Sequence, residues 1–478
     1  MGTTVFERRP AEASVVAHSL ETTAHRTFWI DDIAPQVRYP ALVGTVDADL
    51  AIVGGGYTGL WTAVEAKRRD PGRRVVLVEA KRIGWAASGR NGGFCEASLT
   101  HGRENGLSRW PEELDELDRL GLANLDAIEA SGAELGMDFD FERNGSLDLA
   151  VEPHQVEWLR ESMEDAAEHG IDDVTYLDAD AVRAEVDSPT YLAGVWHRRT
   201  SATLHPAKLA AELARVAADL GVEIFEDAPV SGLDSDAASV TLRTERGRVT
   251  ARQVALATNV FPSLLKRNRL MTVPVYDYAL MTEPLTDDQL AAIGWANRQG
   301  LGDMANQFHY YRLSRDNRIL FGGYDAIYHY GRRVRSGYEQ RPETYERLAS
   351  HFFTTFPQLA GLRFSHRWAG AIDTSTRFCA FFGTARQGRV AYAAGFTGLG
   401  VASTRFGAEV MLDRLAGVQT ERTELRMVRE RPLPFPPEPA AAIGINATRW
   451  SLDRADHNDG KRNVLLKTLD ALGLGFDS

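Results

Sequence analysis

Three glycines early in the chain have the spacing of a phosphate-binding turn. Gly54, Gly56 and Gly59 match the pattern G-x-G-x-x-G and follow a buried-strand pattern formed by Ala48, Leu50, Ile52 and Val53. In such a turn the first glycine makes the tight bend, the second lets the backbone approach a pyrophosphate, and the third lets the next helix pack close to the strand. The phosphates then bind at the helix N-terminus, where unpaired N–H groups and the helix dipole favour negative charge.

An acidic residue follows at the distance that a dinucleotide site requires. The run VVLVEA at residues 75–80 predicts a second buried strand, and Glu79 lies 20 residues after Gly59. A carboxylate there accepts hydrogen bonds from a ribose diol and repels a 2′-phosphate, which disfavours NADP. Strand, turn, helix and strand predict a βαβ unit that binds an adenine dinucleotide. The alternative is a glycine turn with a structural role only.

Two further glycine-rich segments could contact a cofactor. Residues 83–94 are mostly small, and Arg90 is the one charged residue among them. A loop with so few large side chains can wrap a flat cofactor and present backbone amides, and its alternative role is that of a flexible surface loop. The segment AAGFTGLGVA at residues 393–402 joins a predicted strand at 390–394 to a predicted helix at about 401–415. Its alternative role is an ordinary turn between strand and helix.

These segments together give the chain a family resemblance. VGGGYTGL (53–60), SGRNGG (88–93) and AAGFTGLGVA (393–402) resemble the FAD-dependent amine oxidoreductases related to D-amino-acid oxidase and glycine oxidase, and most of all the branch that contains γ-glutamylputrescine oxidase. Shorter segments extend the resemblance in order over about residues 28–430: HPAKL (205–209), VALATN (254–259), TEPL (282–285), YYRL (310–313), LFGG (320–323) and WAGAIDTSTRF (368–378).

The resemblance implies a non-covalently bound FAD, because cysteine-tethered relatives carry the thiol near the position of Gly370 or Ala371. A helix N-terminus at the flavin pyrimidine would stabilise the negative charge of the reduced ring. The residues implied to bind FAD are Gly54, Gly56, Thr58 and Gly59 at the pyrophosphate, Glu79 at the ribose, Ser88, Arg90, Asn91 and Gly92 along the ribityl chain and ring edge, Val230, Ala257 and Thr258 near the adenine, and Gly398, Leu399, Gly400 and Val401 at the pyrimidine O2.

The resemblance also implies the reaction. A C–N bond of a small amine or N-substituted amino acid is oxidised to an imine by hydride transfer to flavin N5, and water hydrolyses the imine. Polar residues near the predicted second domain are the catalytic candidates: His309, Tyr311, Tyr276, Tyr324, His366, Trp368 and Thr397, with Tyr278 and Arg312 as further candidates. Asp277 and Asp325 could bind an ammonium group. For each aromatic residue the alternative is a place in the core.

The elements that must position these residues predict an α/β fold. A Rossmann-like FAD-binding domain of the glutathione-reductase type carries an inserted α+β substrate domain, whose antiparallel sheet is indicated by period-two aromatic residues at 271–330. Phe28 and Trp29 are predicted to anchor an N-terminal arm. The predicted divisions are an arm at 1–46, a discontinuous FAD-binding domain at 47–110, 196–270 and 366–430, a substrate domain at 111–195 and 271–365, and a linker and C-terminal tail with one helix at 431–478.

Composition excludes several classes of protein. The 478 residues carry a net charge of −12, which disfavours nucleic acid and anionic membranes as partners. Cys95 and Cys379 lie too far apart in sequence for a metal cluster or a disulfide framework, so no metal is expected and the cytoplasm is the expected location. No apolar run approaches the ~20 residues of a membrane span.

Some alternatives stay open. A flavin-dependent monooxygenase usually has a later Gly-Asp motif, and here Gly302-Asp303 lies in a loop-like context. A non-catalytic flavin-binding subunit is a third possibility, whereas an NAD dehydrogenase leaves the second and third glycine segments without a role. Fast oxygen-reducing relatives often carry a lysine over the flavin, and the chain has no lysine between Lys266 and Lys461. Oxygen or another acceptor, the substrate and the oligomeric state are therefore left open.

Overall fold

The computed structural model of the chain describes residues 2–475. Met1 and residues 476–478, the outermost ends of the predicted arm and tail, lie outside the described residues. The strands are β1 (Gly44–Val53), β2 (Val75–Val78), β3 (Phe94–Glu96), β4 (Ser146–Ala150), β5 (Val174–Leu177), β6 (Ala193–His197), β7 (Ser201–Thr203), β8 (Glu223–Phe225), β9 (Gly232–Ser235), β10 (Val240–Arg243), β11 (Gly247–Leu256), β12 (Thr272–Thr282), β13 (Gly300–Asp303), β14 (His309–Leu313), β15 (Ile319–Gly323), β16 (Ile327–Tyr328), β17 (Phe364–Ser375), β18 (Phe381–Ala385) and β19 (Val390–Ala394).

Helices connect and cover these strands. The α-helices are α1 (Val5–Arg8), α2 (Ala13–Leu20), α3 (Phe28–Asp31), α4 (Tyr57–Arg69), α5 (Arg103–Arg109), α6 (Leu114–Glu134), α7 (Pro153–Glu168), α8 (Ala179–Glu185), α9 (Pro206–Asp219), α10 (Asp287–Ile293), α11 (Pro342–Thr355), α12 (Gly400–Ala416), α13 (Glu421–Glu424), α14 (Arg426–Arg429), α15 (Ala440–Asp456) and α16 (Val464–Ala471). Short 3-10 helices lie at Ala87–Gly89, Pro111–Glu113, Lys266–Asn268, Ser336–Glu339 and Pro357–Leu359.

The first sheet contains the predicted βαβ unit. Its strand order is β18-β19-β11-β1-β2-β8, and β1 pairs in parallel with both β2 and β11. Residues Leu50, Ile52, Val75 and Leu77 are fully buried beneath the helical layer of α4, α9 and α12. Helix α4 begins at Tyr57, three residues earlier than predicted, directly after the glycine turn. A buried parallel strand therefore delivers that turn to the carboxyl edge of the sheet.

The second sheet is antiparallel except where β13 runs parallel to β4. Its order is β16-β12-β15-β14-β13-β4-β6-β5, with β17 paired along the whole of β12. The aromatic residues Tyr276 and Tyr278 of β12 are fully buried on the side of α11. The predicted fold class, a Rossmann-like domain joined to a domain built on an antiparallel sheet, is thus the observed one.

Several elements differ from the prediction. From residue 2 onwards the arm contains three short helices, α1, α2 and α3, and Phe28 and Trp29 are buried as predicted. Up to residue 475 the tail contains two helices, α15 and α16, instead of the predicted one. Strand β17 belongs to the second sheet by its hydrogen bonds, so residues 366–375 lie on the other side of the predicted domain boundary. Gly302-Asp303 lies in β13, not in a loop.

Among residues 2–475 no helix combines the length and the apolar composition that crossing a membrane requires.

Candidate active site

One large cavity collects the segments that the sequence singled out. It has a volume of about 2230 Å³ and is lined by the glycine turn after β1, the loop at 84–94, the turn at 396–400, one face of β12 and residues 370–374 of β17. This volume exceeds the roughly 300–1,000 Å³ that small-ligand pockets usually have. The space is sufficient for a dinucleotide together with a substrate.

The glycine turn is imposed by backbone contacts. Gly54 has a φ of +113°, and a Cβ atom on it would lie 2.3 Å from the carbonyl oxygen of Ala257. A Cβ atom on Gly59 would lie 1.9 Å from the carbonyl oxygen of Gly54. The third glycine therefore lets α4 pack against the end of β1, as the motif predicts. Gly59 lies beneath the cavity and does not line it.

The carboxylate of Glu79 lies at the end of β2 and is 7% exposed. It accepts hydrogen bonds from the backbone nitrogens of Gly55 at 2.7 Å and Lys81 at 2.8 Å, and from Trp85 Nε1 at 2.9 Å. Burial raises its pKa. Because a carboxylate has about four acceptor positions, these donors hold Glu79 against the turn and leave capacity for a ribose hydroxyl.

Side chains of the 84–94 loop fix its shape. Ser88 Oγ accepts a hydrogen bond from the backbone nitrogen of Tyr57 at 2.9 Å, at the start of α4. Asn91 Nδ2 donates to the carbonyl of Ala87 at 3.0 Å. Arg90 Nη1 donates to Glu339 Oε2 at 2.8 Å and to the carbonyl of Ala369 at 3.1 Å. Arg90 thus ties this loop to the second domain.

The turn after β19 is held by β17. Its backbone enters the left-handed region at Gly395, Thr397 and Gly398, with φ values of +77°, +50° and +92°. Asp373 Oδ2 accepts a hydrogen bond from the backbone nitrogen of Gly395 at 2.6 Å, and Thr397 Oγ1 accepts one from Ser375 at 3.1 Å. Burial raises the pKa of Asp373 to about 7. Helix α12 begins at Gly400 and directs its N-terminus towards this wall of the cavity.

Most of the predicted cofactor residues lie on the cavity wall. Their roles towards the cofactor stay predictions. The residues that line the cavity are Gly54, Gly56, Thr58, Glu79, Ser88, Arg90, Asn91, Gly92, Val230, Ala257, Thr258, Gly398, Leu399, Gly400 and Val401.

Of the seven predicted catalytic residues, Tyr324, Trp368 and Thr397 line the cavity, and the other four do not. His309 is fully buried between Asp303 at 2.6 Å and His351 at 2.9 Å. The structure therefore does not bring its imidazole to the cavity wall.

The other three predicted catalytic residues that do not line the cavity are also held by contacts elsewhere. Tyr311 bonds through its hydroxyl to that of Tyr191 at 2.8 Å. The Tyr276 hydroxyl accepts from the backbone nitrogen of Arg335 at 2.9 Å. His366 lies 3.4 Å from Asp31 of the arm, because β17 pairs there with Ala24. Neighbouring residues of a strand point to opposite faces, so Tyr311 and Tyr276, next to the wall residues Tyr310 and Asp277, lie on the face away from the cavity. His366 shares the phase of Trp368 but lies nearer the start of β17, where the arm covers it.

The same alternation places on the cavity wall residues that the catalytic list did not contain, and Asp277, which the sequence named as a candidate for binding an ammonium group, is among them. Along β12 the residues on the cavity wall are Val273, Val275, Asp277 and Ala279, whereas Tyr278 donates to the carbonyl of Tyr338 on the opposite side. On β14 the residue on the wall is Tyr310. The signal was present as a period of two, but the sequence does not tell which phase of a strand faces the cavity.

Helix α15 supplies a wall to which the sequence assigned no function. Ala441, Ile445, Thr448 and Leu452 line the cavity at helical spacing. The helix is held by Asp456, which accepts hydrogen bonds from the backbone nitrogens of Asn306 at 2.9 Å and Gln307 at 3.1 Å. The predicted tail is therefore part of the cavity.

The residues present fit FAD. A Cβ atom on Gly56 would lie only 2.9 Å from Ser88 Oγ, so this position favours glycine. Because glycine has no side chain, the backbone of the first turn is accessible where a pyrophosphate would approach. The second and third turns are similarly poor in side chains and lie on the same cavity. A Rossmann-like sheet, a bare phosphate turn and a wide cavity against an antiparallel sheet define the class of two-domain flavin-binding oxidoreductases.

Comparison with known proteins gives the family. The model of the family described as FAD dependent oxidoreductase matches residues 49–414, and the chain belongs to this family. It is 30% identical over 389 residues to gamma-glutamylputrescine oxidoreductase of Escherichia coli, which covers 79% of this chain and 86% of that protein. It is 26% identical to a probable oxidoreductase of Haemophilus influenzae, over 82% of this chain and 88% of that protein.

Solved structures share the fold. Glycine oxidase from Geobacillus kaustophilus superposes with a TM-score of 0.66 at 20% identity, over 78% of this chain and 96% of that chain. The family resemblance, the fold class, the enzymatic nature of the protein and its FAD cofactor are confirmed by these findings.

Proposed function

We propose that this FAD-dependent oxidoreductase oxidises a C–N bond of a small amine or N-substituted amino acid to an imine, which water then hydrolyses. The observation that carries the proposal is the cavity that joins the three glycine-rich segments to β12 and β17 of the antiparallel sheet. When bound, FAD accepts the hydride that leaves the carbon next to the amine nitrogen.

The residues of the chain would hold the reactants and exclude water. Gly54, Gly56 and the N-terminus of α4 would hold the pyrophosphate, and Glu79 the ribose. Arg90 would keep the 84–94 loop against β17 through its bonds to Glu339 and Ala369. The N-terminal N–H groups of α12 would stabilise negative charge at the turn around Gly398. The sheet face would position the substrate.

The names of the relatives support the type of bond. They include a gamma-glutamylputrescine oxidoreductase, a sarcosine oxidase subunit beta and a glycine oxidase. These names describe amines and amino acids as substrates of those proteins. Oxygen or another acceptor would reoxidise the flavin. The cytoplasm is the proposed location, which the two buried free cysteines support.

The test begins with the colour of the purified protein. We expect one FAD per chain, released by denaturation without a covalent tether, and loss of flavin absorbance when the protein meets its amine without oxygen. Re-oxidation with oxygen or an artificial acceptor then separates oxidase from dehydrogenase. A colourless protein that takes up no added FAD would contradict the proposal, as would flavin that no amine or amino acid reduces.

A further inference from the structure

A carboxylate and a phenol meet on the cavity wall. Tyr310 Oη donates a hydrogen bond to Asp277 Oδ2 at 2.5 Å, and both side chains line the cavity and are partly accessible. They lie on β14 and β12, which are separated by β15. Gly322 of β15 makes the contact possible, because a Cβ atom there would lie 2.6 Å from Tyr310 Cζ. The pair thus depends on a glycine that lets the Tyr310 ring cross the intervening strand.

The pair lies beside the loop at 84–94. A Cβ atom on Gly92 would lie 2.7 Å from Tyr310 Cε2. Asp277 on β12 lies opposite Gly370 on β17. A Cβ atom on Gly370 would lie 3.9 Å from Arg90 Cβ. Gly92 and Arg90 belong to the loop proposed to follow the cofactor towards its ring edge. A substrate group bound by Asp277 would therefore lie near the reacting end of the cavity.

The carboxylate can accept a further donor. Tyr310 occupies one acceptor position, and a carboxylate has about four, so acceptor positions remain for a substrate group. Burial raises the pKa of Asp277 to about 6, so the group is mainly ionised at pH 8. Burial also raises the pKa of Tyr310 well above its usual value, so the phenol keeps its proton and donates.

Two arginines of the adjoining elements are committed elsewhere. Arg90 is paired with Glu339 at 2.8 Å. Arg312, on the same strand as Tyr310, donates to the carbonyls of Gly93 at 3.1 Å and Leu204 at 2.6 Å. The wall at Asp277 thus offers an anion that suits a cation, and the guanidinium groups of Arg90 and Arg312, which could otherwise bind a carboxylate bidentately, are already paired.

We propose that Asp277, positioned by Tyr310, binds the protonated nitrogen of the substrate and selects amines that carry no carboxylate on the carbon next to that nitrogen. This inference rests on the proposed function. An α-carboxylate would be held close to the Asp277 carboxylate, and like charges at such a distance in a partly buried site repel strongly. A carboxylate farther along the substrate remains compatible with the subsite.

Binding can be measured without turnover. tert-Butylammonium has no hydrogen on the carbon that bears the nitrogen, so it cannot be oxidised there, and pivalate has the same shape with the opposite charge. In calorimetry at pH 8 the FAD-loaded protein should bind tert-butylammonium and not pivalate. Asp277→Asn should weaken the binding at least tenfold, and Tyr310→Phe should weaken it less. Asp234→Asn, an exposed carboxylate on β9, should leave it unchanged.

Three results would overturn the inference: binding of pivalate in place of the cation, an unchanged affinity in Asp277→Asn, or an equal loss in Asp234→Asn. FAD content and melting temperature show that each variant is folded. A second pair of probes separates this inference from the proposed function. If 2-aminohexanoate bleaches the flavin faster than pentylamine, the inference fails and the proposed function stands. If nothing in a broad panel bleaches it, the proposed function fails as well.

Discussion

A carboxylate oxygen of Asp373 lies 2.6 Å from the backbone nitrogen of Gly395. Asp373 belongs to β17 of the second sheet, whereas Gly395 begins the turn after β19 of the first. The bond therefore fixes the third glycine-rich turn to the second domain. It also places a buried acid at the cavity wall near the start of α12, where we propose that the negative charge of a reduced cofactor is stabilised.

This acid predicts a pH dependence of stability. Burial raises the pKa of Asp373 to about 7, whereas an aspartate in the unfolded chain titrates near 3.9. The folded state holds the proton more tightly, so its stabilising contribution is complete below about pH 4 and is lost as the pH rises through about 7. Asp373→Asn should flatten the decline in unfolding free energy between pH 5 and 8 by on the order of 1 kcal/mol or more.

Chemical denaturation of the apoprotein at several pH values measures this change. Asp234→Asn, which alters an exposed aspartate, is the control and should keep the slope of the parent. An Asp373→Asn protein whose stability still declines as steeply as that of the parent would show that another group titrates.

The close packing of the first turn predicts an intolerant position. Gly59→Ala places a Cβ atom where the carbonyl oxygen of Gly54 lies, at 1.9 Å. We expect a loss of about 1–3 kcal/mol of unfolding free energy from overpacking, and lower FAD occupancy because the turn must shift. Gly72→Ala is the matched control, since its Cβ atom meets Asp70 at an ordinary 3.4 Å. Equal FAD content in the two variants would be evidence against the role of this turn.

Arg90 holds the 84–94 loop against the second domain, so removing its side chain should weaken cofactor binding. Arg90→Ala removes the charge-assisted bond to Glu339 and the bond to the Ala369 carbonyl. The affinity for FAD should fall on the order of tenfold, measured by flavin titration of the apoprotein. Arg243→Ala removes an exposed ion pair with Asp234 and should have no such effect. Full occupancy of the Arg90 variant at low FAD would mean that the loop is held by other contacts.

Because Tyr311 lies away from the cavity, its substitution should lower the stability of the protein and leave the rate of flavin reduction unchanged. Tyr311→Phe leaves the buried hydroxyl of Tyr191 without its partner at 2.8 Å, which should cost about 1 kcal/mol of stability. The rate of flavin reduction per bound FAD should stay at the parent value, because Tyr311 lies on the face away from the cavity. A large fall in that rate with full FAD content would restore Tyr311 as a catalytic candidate.

The wall formed by α15 predicts an effect on substrate size. Leu452→Trp puts a larger side chain into the cavity, so KM should rise for long amines more than for short ones while FAD occupancy is retained. Trp450→Ala changes an exposed residue, 55% accessible, on the same helix and should leave KM unchanged. If both variants behave alike with long and short amines, the helix does not limit the substrate.

The local elements followed from the sequence because they depend on short-range chemistry. Four apolar residues before three glycines, and an acid at the end of the next strand, are sufficient to define the βαβ unit. The structure brings β1, α4, β2 and Glu79 together as that pattern requires. The other two glycine-rich segments were also recognised, because a high content of glycine and small residues can be read directly from the sequence.

The substrate face was decided by tertiary structure. A period of two shows that a strand has two faces, but the sheet order and the neighbouring helix determine which one meets the cavity. Tyr276 and Tyr278 pack on the side of α11, so Asp277 between them faces the cavity. The contact of Asp277 with Tyr310 across β15, and the return of α15 to the cavity wall, join residues far apart in the chain, and no local pattern encodes such distances.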